Sequence, residues 1–381
     1  MHDDLIRQVE SNSGPRFTNV RVVNFSVLNG RRGVCSLVFY AWDNLHDRAV
    51  ALKFIDPNHL SNGYMIHAFE RESRLLKIVS RKDRCLTLID DQEKFPWRVN
   101  LASGSADIPV GYFSMEWIDK EIDDRFLEQQ RFDVVEKLQT FRLIVLAVQA
   151  IHDEGIFHRD LKADNIREKE IDGKRVLVVI DYGMAARVDE PPASISYPVQ
   201  GGLGAPAYTA PESMLGLCFV RSVARGTDFW ALGALLFELF NMGLLWDALR
   251  KTNYFMLLPA ALNSVGASVG GDERLAKLDE FLDVHGAAFF APSMIGRGST
   301  VPPSISREIQ DLFCCLCRFD YRSRCMDFDF IIKRIDICLK IVMNSDREKK
   351  VLELKRQRRE NRIRKLEYRI FRQKQFISSG G

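Results

Sequence analysis

The segment FHRDLKADNI, residues 157–166, concentrates one His, one Arg, one Lys, one Asn and two Asp within ten positions. It follows the apolar run LIVLAVQAI, 143–151, and precedes the apolar run VLVVI, 176–180. The first run has the pattern of a buried helix and the second that of a buried strand. Because loops held by rigid elements commonly carry binding and catalytic groups, we predict that this polar loop carries the chemistry of the protein.

The sequence before this loop is rich in strand-like runs. RFTNVRVVNFSVL, GVCSLVFYAW and RAVALKFID lie between residues 16 and 56, and short turn-forming links separate them, which predicts an antiparallel meander. Residues 66–79 carry apolar side chains at helical spacing, and two further strand-like runs, CLTLID and IPVGYFSMEWI, follow. A small lobe dominated by an antiparallel sheet is therefore expected.

The sequence after residue 117 is mainly helical in pattern. We predict a long buried helix over 132–155, a second one over 228–240, and further helices from residue 306 onward. The stretch 182–212 is rich in Gly, Pro, Ala and Ser and is predicted to be a long functional loop. Residues 262–304 are punctuated by Gly, Ser and Pro and are predicted to be irregular. The expected fold class is α+β, with two lobes.

Composition separates the end of the chain from the rest. The chain has 381 residues, 46% apolar residues and a formal net charge of +3, which excludes global disorder. Between residues 346 and 374, however, thirteen Lys and Arg face five Asp and Glu. This basic tail contains neither Gly nor Pro from 347 to 376 and is predicted to be a helix. Three interpretations of this helix remain open. It can be a solvated helix, a helix that binds a partner or dimerises, or a helix that binds acidic lipid or nucleic acid.

The sequence also bears on the cellular compartment. The first residues lack a basic segment followed by an apolar one, and no apolar run is long enough to cross a membrane, so we expect a cytoplasmic protein with reduced thiols. Cys314 and Cys317 form a C-x-x-C pair on a predicted apolar helix, and no second pair at zinc-site spacing accompanies them. Core packing is the favoured interpretation of these cysteines.

The polar loop contains the groups that phosphoryl transfer requires. Such a reaction needs a hydroxyl held in position, phosphate charge neutralised and Mg²⁺ bound by hard oxygen ligands. Asp160 can accept the proton of the acceptor hydroxyl, and Lys162 can place a cation on the transferred phosphate. Asn165 and Asp181 can supply an amide oxygen and a carboxylate to the metal.

The spacing of these residues resembles that of a known family. The run from His158 to Asn165, followed by Asp181-Tyr182-Gly183, resembles the catalytic loop and the Asp-Phe-Gly motif of eukaryotic-type protein kinases. The resemblance covers residues 17–343 and implies a bilobal kinase-like fold that uses ATP and Mg²⁺. It also implies four regions: an N-terminal extension over 1–16, an N-lobe over 17–116, a C-lobe over 117–343 and the basic tail over 344–381.

The same resemblance implies a nucleotide site. AVALK ends in Lys53, which resembles the phosphate-binding lysine, and Glu72 has the spacing of its ion-pair partner, with Glu70 as the neighbouring candidate. The glycine-rich loop departs from the family pattern, because its three glycine positions fall on Arg31, Gly33 and Ser36. The residues implied to contact ATP, besides Lys53, are Gly33, Ser36, Val38, Ala51, Met115, Glu116 and Ile118.

Downstream motifs extend the likeness. GAPAYTAPE, 204–212, resembles the end of the activation segment, although Ala205 stands where Ser/Thr kinases usually have a Thr that bonds the catalytic Asp and Lys. Asp228 resembles the helix residue that anchors the catalytic loop. Asp320-Tyr321-x-x-Arg324 resembles the D-P-x-x-R element of the family, which implies that Arg324 pairs with Glu212 as two matched buried charges.

The implied activity is that of a protein Ser/Thr kinase. Lys162 two positions after Asp160 resembles the Ser/Thr-directed pattern, so the expected partner is a protein substrate with a Ser or Thr acceptor. Arg159 suggests control by phosphorylation of the activation segment, with Ser194 or Ser196 as the favoured sites. Two alternatives stay open: a pseudokinase that acts as a binding module, and a small-molecule phosphotransferase of related fold.

Overall fold

The computed structural model describes residues 2–26, 30–31, 36–101, 104–188, 205–266, 271–296 and 298–378. The fold confirms the predicted α+β architecture, with a sheet-rich N-lobe and a larger helical C-lobe. The strands are β1 (Phe17–Val22), β2 (Phe25–Ser26), β3 (Gly30–Arg31), β4 (Ser36–Asp43), β5 (Arg48–Ile55), β6 (Leu88–Leu101), β7 (Gly104–Glu116), β8 (Lys120–Glu121), β9 (Ile156–Phe157), β10 (Ile166–Ile171), β11 (Lys174–Val179) and β12 (Ala186–Arg187).

The helices lie mostly in the C-lobe. They are α1 (His2–Asn12), α2 (Gly63–Val79), α3 (Asp124–Leu127), α4 (Val134–His152), α5 (Pro211–Met214), α6 (Arg221–Phe240), α7 (Leu245–Leu249), α8 (Tyr254–Val265), α9 (Gly271–His285), α10 (Ser306–Leu316) and α11 (Phe328–Ser378).

The N-lobe is organised around one antiparallel sheet with the strand order β1–β4–β5–β7–β6. Alternate residues of β4 are buried, as the sequence pattern predicts for a strand with one face toward a core, whereas β5 in the centre is buried almost throughout. Phe39, Phe54 and Phe113 from β4, β5 and β7 form the middle of this core. The central strand therefore holds Lys53 rigidly from both sides.

Helix α2 lies against this sheet and begins with a side-chain cap. Asn62 Oδ1 accepts a hydrogen bond from the Met65 N–H at 3.2 Å, which satisfies one of the free donors of the first turn. Leu75 and Leu76 are fully buried, and their apolar face sets the rotation of the helix. That rotation buries Glu72 as well, at 2% exposure.

The predicted N-terminal extension contains helix α1, which belongs to the core of the N-lobe. Leu5 and Val9 are fully buried against the sheet. The amide group of Gln8 pairs with the main chain of β6, because its Nε2 donates to Arg98 O at 2.8 Å and its Oε1 accepts from Arg98 N at 2.9 Å. Trp97 Nε1 donates to Asp4 Oδ2 at 3.1 Å. Helix α1 thus covers part of the sheet.

The C-lobe is built around helices α4 and α6, as the apolar runs predict. Gly233 lets helix α10 approach α6 closely, because a Cβ at this position would overlap Cys317 Sγ. Cys317 is fully buried, in line with a packing role, and no group of three potential His, Cys, Asp or Glu metal ligands occurs in the part of the chain that the structure describes.

The expectation of an irregular segment over 262–304 was wrong for its first half. Helix α8 continues to Val265, and α9 occupies Gly271–His285. Leu278, Phe281 and Leu282 are buried on one face of α9, and this packing outweighs the Gly and Ser residues on which the prediction relied.

Helix α11 joins the C-lobe and the basic tail without a break. Ile331, Ile335, Cys338 and Val342 anchor its first turns in the core, whereas the side chains of residues 353–362 are exposed. Among the described residues, none of the helices is apolar over a length that could cross a membrane.

Candidate active site

A buried carboxylate on helix α6 anchors the polar loop at 158–165 by hydrogen bonds. Asp228 is fully buried and accepts hydrogen bonds from the main-chain N–H groups of His158 and Arg159, each at 2.7 Å. His152 Nε2 lies 2.8 Å from the same carboxylate. Burial opposes the charge, but these hydrogen bonds outweigh it and keep the pKa of Asp228 below its usual value. The α6 residue thus fixes the start of the loop, as the resemblance implied.

Asp160 lies at the centre of the site with both carboxylate oxygens engaged. Its Oδ1 accepts a hydrogen bond from the Ala205 N–H at 3.1 Å. Its Oδ2 lies 3.3 Å from Asn165 Nδ2 and 3.5 Å from Lys162 Nζ. Asn165 also donates to the main-chain oxygen of Asp160 at 2.8 Å, so the amide group closes the loop on itself. Three of the sequence-predicted residues therefore lie within one hydrogen-bonded cluster.

Lys53 joins the two lobes through a pair of carboxylates. Its Nζ is 2.7 Å from Glu72 Oε1 and 2.8 Å from Asp181 Oδ1. Burial lowers the pKa of this lysine, but the charges of Asp181 and Glu72 outweigh burial and leave the pKa raised. The Lys53 charge likewise lowers the pKa of Asp181 to about 2. Lys53 is therefore an ammonium group and Asp181 a carboxylate at neutral pH.

The alternative partner Glu70 is not in contact with Lys53. Glu70 is exposed on α2, whereas Glu72 also accepts a hydrogen bond from the Tyr182 N–H at 2.9 Å. Glu72 therefore holds both the lysine and the main chain next to Asp181. The ring of Tyr182 is fully buried, and its hydroxyl has no hydrogen-bond partner among the described residues.

The donor atoms of Asn165 and Asp181 fit a magnesium ion. The amide nitrogen of Asn165 is used within the loop, which leaves the amide oxygen as its ligand atom. The Asp181 side chain is 46% exposed, and only its Oδ1 is bonded to Lys53. A carboxylate and an amide oxygen are ligands that Mg²⁺ accepts, with phosphate oxygens and water as the others. Asp181 has a φ of +65°, a strained conformation that turns the chain at this point.

The residues implied to contact the adenine lie on adjacent strands and the connector after β7. Ala51 on β5 is paired in register with Met115 on β7 and with Tyr40 on β4. Val38 is partly buried and pairs with Lys53. Ile118 is partly buried in the connector that follows β7.

Two of the residues implied to contact ATP, Ser36 and Gly33, come from the segment that resembles the glycine-rich loop. Ser36 begins β4, and its carbonyl accepts a hydrogen bond from Asn24 Nδ2 at 2.9 Å. Asn24 Oδ1 accepts a hydrogen bond from the Val38 N–H at 2.8 Å, so this asparagine is bonded to the main chain of β4 at two positions. Gly33 lies outside the described residues.

Three ion pairs connect the segment between the lobes to strand β10. Glu116 Oε1 lies 2.8 Å from Lys169 Nζ, Lys120 Nζ lies 2.5 Å from Glu168 Oε1, and Arg167 Nη2 lies 2.9 Å from Glu121 Oε1. The Glu116 carboxylate also accepts from the Thr87 N–H at 2.8 Å. These side chains therefore stiffen the connector.

Arg159 is engaged with the main chain on both sides of the activation segment. Its Nε donates to Met184 O at 2.7 Å and its Nη1 to Cys218 O at 3.2 Å. The guanidinium group also lies over the Phe219 ring at 5.3 Å. The candidate phosphorylation sites Ser194 and Ser196 lie outside the described residues, so control through Arg159 stays a prediction.

Glu212 and Arg324 form the expected buried pair. The two side chains are almost completely buried, and Arg324 Nη2 donates to Glu212 Oε2 at 3.1 Å. Arg324 also donates to the carbonyls of Gly226 and Arg318, each at 2.8 Å. This arrangement fixes the end of the activation segment against α6.

Sequence reasoning missed several residues that support the site. His152, Lys169 and Asn24 bind, respectively, Asp228, Glu116 and the main chain of β4. Each lies in a run that looks like an ordinary helix, strand or turn, and its partner is at least 12 residues away. Local pattern carries no signal of such contacts.

Comparisons with known proteins agree with this geometry. The family model described as "Protein kinase domain" matches residues 30–331. Maternal embryonic leucine zipper kinase of Xenopus laevis is 36% identical over 119 residues, which are 31% of this chain and 17% of that protein. CBL-interacting protein kinase 9 of Oryza sativa subsp. japonica is 27% identical over 208 residues, 54% of this chain and 41% of that kinase. Calcium/calmodulin-dependent protein kinase cmkA of Emericella nidulans is 34% identical over 119 residues, 31% of this chain and 27% of that kinase. Less than half of each relative is thus matched.

Proposed function

Because the chain belongs to the protein kinase family, we propose that it transfers the γ-phosphate of Mg-ATP to a Ser or Thr hydroxyl of a protein substrate. The observation that supports this most is the position of Lys53 between Glu72 and Asp181, within 2.8 Å of both carboxylates. A lysine held in this way can bind phosphate as a fully charged, immobile cation. The arrangement needs no further movement of α2.

In the proposed mechanism, Mg-ATP supplies the transferred phosphoryl group and the chain supplies position and charge. Asn165 and Asp181 would hold the metal through their oxygen atoms, and Lys53 would hold the nucleotide phosphates. Asp160 orients the acceptor hydroxyl and takes its proton. Lys162, whose ammonium group is 3.5 Å from Asp160, places positive charge where the phosphoryl group passes.

The proposed specificity for Ser or Thr is based on Lys162 and on the resemblance it carries. The names of the matched relatives identify them as kinases, and the matched parts are a minority of their length. The substrate and partners of this chain are therefore proposals, argued from its own residues and motifs. The region boundaries, with the tail beginning at residue 344, are likewise proposals.

The decisive experiment compares two Asp→Asn variants. Asp160→Asn removes the proton acceptor, and we expect transfer from labelled ATP to a Ser/Thr peptide library to fall about 10²–10⁴-fold. The control is Asp283→Asn, an exposed residue on α9 that should leave the rate unchanged. ATP-induced thermal stabilisation should persist in both variants, because Asp160 is not in contact with Lys53.

Three outcomes would contradict the proposal. A wild-type chain that binds Mg-ATP but labels no peptide would favour the pseudokinase alternative. Equal labelling by wild type and Asp160→Asn would show that Asp160 is not the base. Labelling of small-molecule alcohols and not of peptides would favour the small-molecule phosphotransferase.

A further inference from the structure

Ala205 lacks the hydroxyl of the Thr that Ser/Thr kinases usually have at this position, and its contact with Asp160 points to a substitute for that hydroxyl. Position 205 carries a methyl group, so its side chain cannot donate a hydrogen bond to the catalytic carboxylate. The main-chain N–H of Ala205 donates instead to Asp160 Oδ1 at 3.1 Å. We propose that this N–H orients Asp160 for catalysis and that Thr209 is the positioning residue that holds Ala205 in place. The proposal rests on the kinase activity proposed above.

Thr209 acts on Ala205 through a hydrogen bond to its carbonyl. Thr209 Oγ1 donates to Ala205 O at 2.9 Å, and the Tyr208 N–H donates to the same oxygen at 2.9 Å. Thr209 is 8% exposed, so water competes little for this hydroxyl. Two donors on one carbonyl fix the orientation of the residue that carries it.

The backbone at Ala205 is restrained from the other side as well. Pro206 follows it, and a residue before proline is confined to extended conformations. Ala205 has φ −71° and ψ 124°, as this restriction requires. Its N–H therefore presents one fixed direction to Asp160, provided that its carbonyl stays bonded.

The other contacts of Asp160 show why this donor matters. Asn165 Nδ2 and Lys162 Nζ are 3.3 and 3.5 Å from Oδ2, and both are longer than the bond from Ala205 to Oδ1. Among the described residues, Ala205 is the donor to Oδ1, and its loss would allow the Asp160 carboxylate to rotate about its terminal torsion. A general base that rotates is no longer aligned with the acceptor hydroxyl.

The experiment removes the Thr209 hydroxyl and keeps its shape. In Thr209→Val we expect kcat for the best library peptide to fall roughly 10-fold or more, because misplacement of a reacting group by a fraction of an ångström is costly. The KM for ATP should stay the same, since the Lys53 cluster is untouched. Thr209→Ser, which keeps the hydroxyl, should retain kcat within about threefold.

The matched control is Thr227→Val. Thr227 is a buried threonine on α6, and its hydroxyl donates within the helix to Ala224 O at 2.7 Å. We expect this variant to keep kcat within about twofold. In the double variant Ala205→Thr, Thr209→Val, a side-chain hydroxyl at 205 should restore kcat.

Each outcome decides the proposal. It is wrong if Thr209→Val keeps the wild-type kcat, if Thr227→Val loses as much, if Thr209→Ser is as slow as Thr209→Val, or if the double variant stays slow. Should Thr209→Val not fold, as judged by thermal unfolding, the comparison of the double variant with wild type takes its place, and a slow double variant counts against the proposal. A wild-type chain that phosphorylates no library peptide contradicts the proposed function itself.

Discussion

Two lysines are buried to a similar degree in the two lobes, and their surroundings differ. Lys53 in the N-lobe is 4% exposed and lies between the carboxylates of Glu72 and Asp181. Lys137 on helix α4 of the C-lobe is 2% exposed; it donates to the Thr300 hydroxyl at 2.7 Å and faces the Phe240 ring at 5.6 Å. Among the described residues, Lys137 has no carboxylate at ion-pair distance.

The difference appears in the charge that each lysine can hold. Burial lowers the pKa of both, but only Lys53 has carboxylates that reverse the effect and raise its pKa. Burial alone acts on Lys137 and lowers its pKa to about 8. One carboxylate from each lobe thus keeps Lys53 charged, whereas the Lys137 ammonium lies against a hydroxyl and an aromatic ring. This contrast supports the proposal that Lys53 binds phosphate and that Lys137 is part of the scaffold.

The largest expected effect comes from removing the cation at the first site. Lys53→Met should lower kcat/KM for ATP at least about 10²–10³-fold, because it removes a fixed charge aimed at the phosphates. Lys137→Met should change it by less than about twofold. Steady-state kinetics with both variants checks the comparison, and equal losses would mean that burial and not position explains the effect of either lysine.

The sequence revealed only one member of this pair of lysines. Lys53 and Glu72 could be identified from the sequence because a motif and a fixed separation of 19 residues connect them. Lys137, between Glu136 and Leu138, looks like an ordinary surface residue of a helix. Its burial depends on Phe240 and Thr300, more than 100 residues away, and local periodicity cannot register such packing.

The difference between local patterns and contacts distant in sequence also explains which other predictions were right and which were wrong. The loop at 157–166, the strands of the sheet and the pair Glu212–Arg324 follow from patterns within single motifs or from joint motifs. Helix α9 and the packing of α1 depend on partners from distant parts of the chain, so the composition of 262–304 was misleading. The contact of Ala205 with Asp160 was missed because it uses a main-chain donor, which every residue except proline has.

The second-largest expected effect is on the pH dependence of the stability of the protein. Lys137→Met should raise the free energy of unfolding at pH 7 by about 3 kcal/mol, because the folded state binds this proton less tightly than the unfolded chain does. The pKa of Lys137 is lowered from 10.5 to about 8, so the penalty is complete below pH 8 and disappears as the pH rises toward 10.5.

Denaturant unfolding of wild type and Lys137→Met at pH 7 and at a pH near 10 measures this window. The advantage of the variant should shrink at the higher pH. The matched control is Lys174→Gln, an exposed lysine that should show no such pH dependence. A variant less stable than wild type at pH 7 would show that the hydroxyl of Thr300 and the ring of Phe240 support the charge fully.

The smallest expected effect concerns a third lysine, intermediate between these two. Lys169 is 16% exposed at its side chain and pairs with one carboxylate, Glu116, at 2.8 Å. A half-buried single pair contributes about 0.5–1 kcal/mol, so Lys169→Gln should raise the KM for ATP about two- to fivefold through a looser connector, with kcat unchanged.

Kinetics of Lys169→Gln, Glu116→Gln and the double variant measure the coupling between the two side chains. Because the lysine acts through Glu116, the double variant should be no worse than Glu116→Gln alone; additive losses would show that Lys169 supports the nucleotide site by another route.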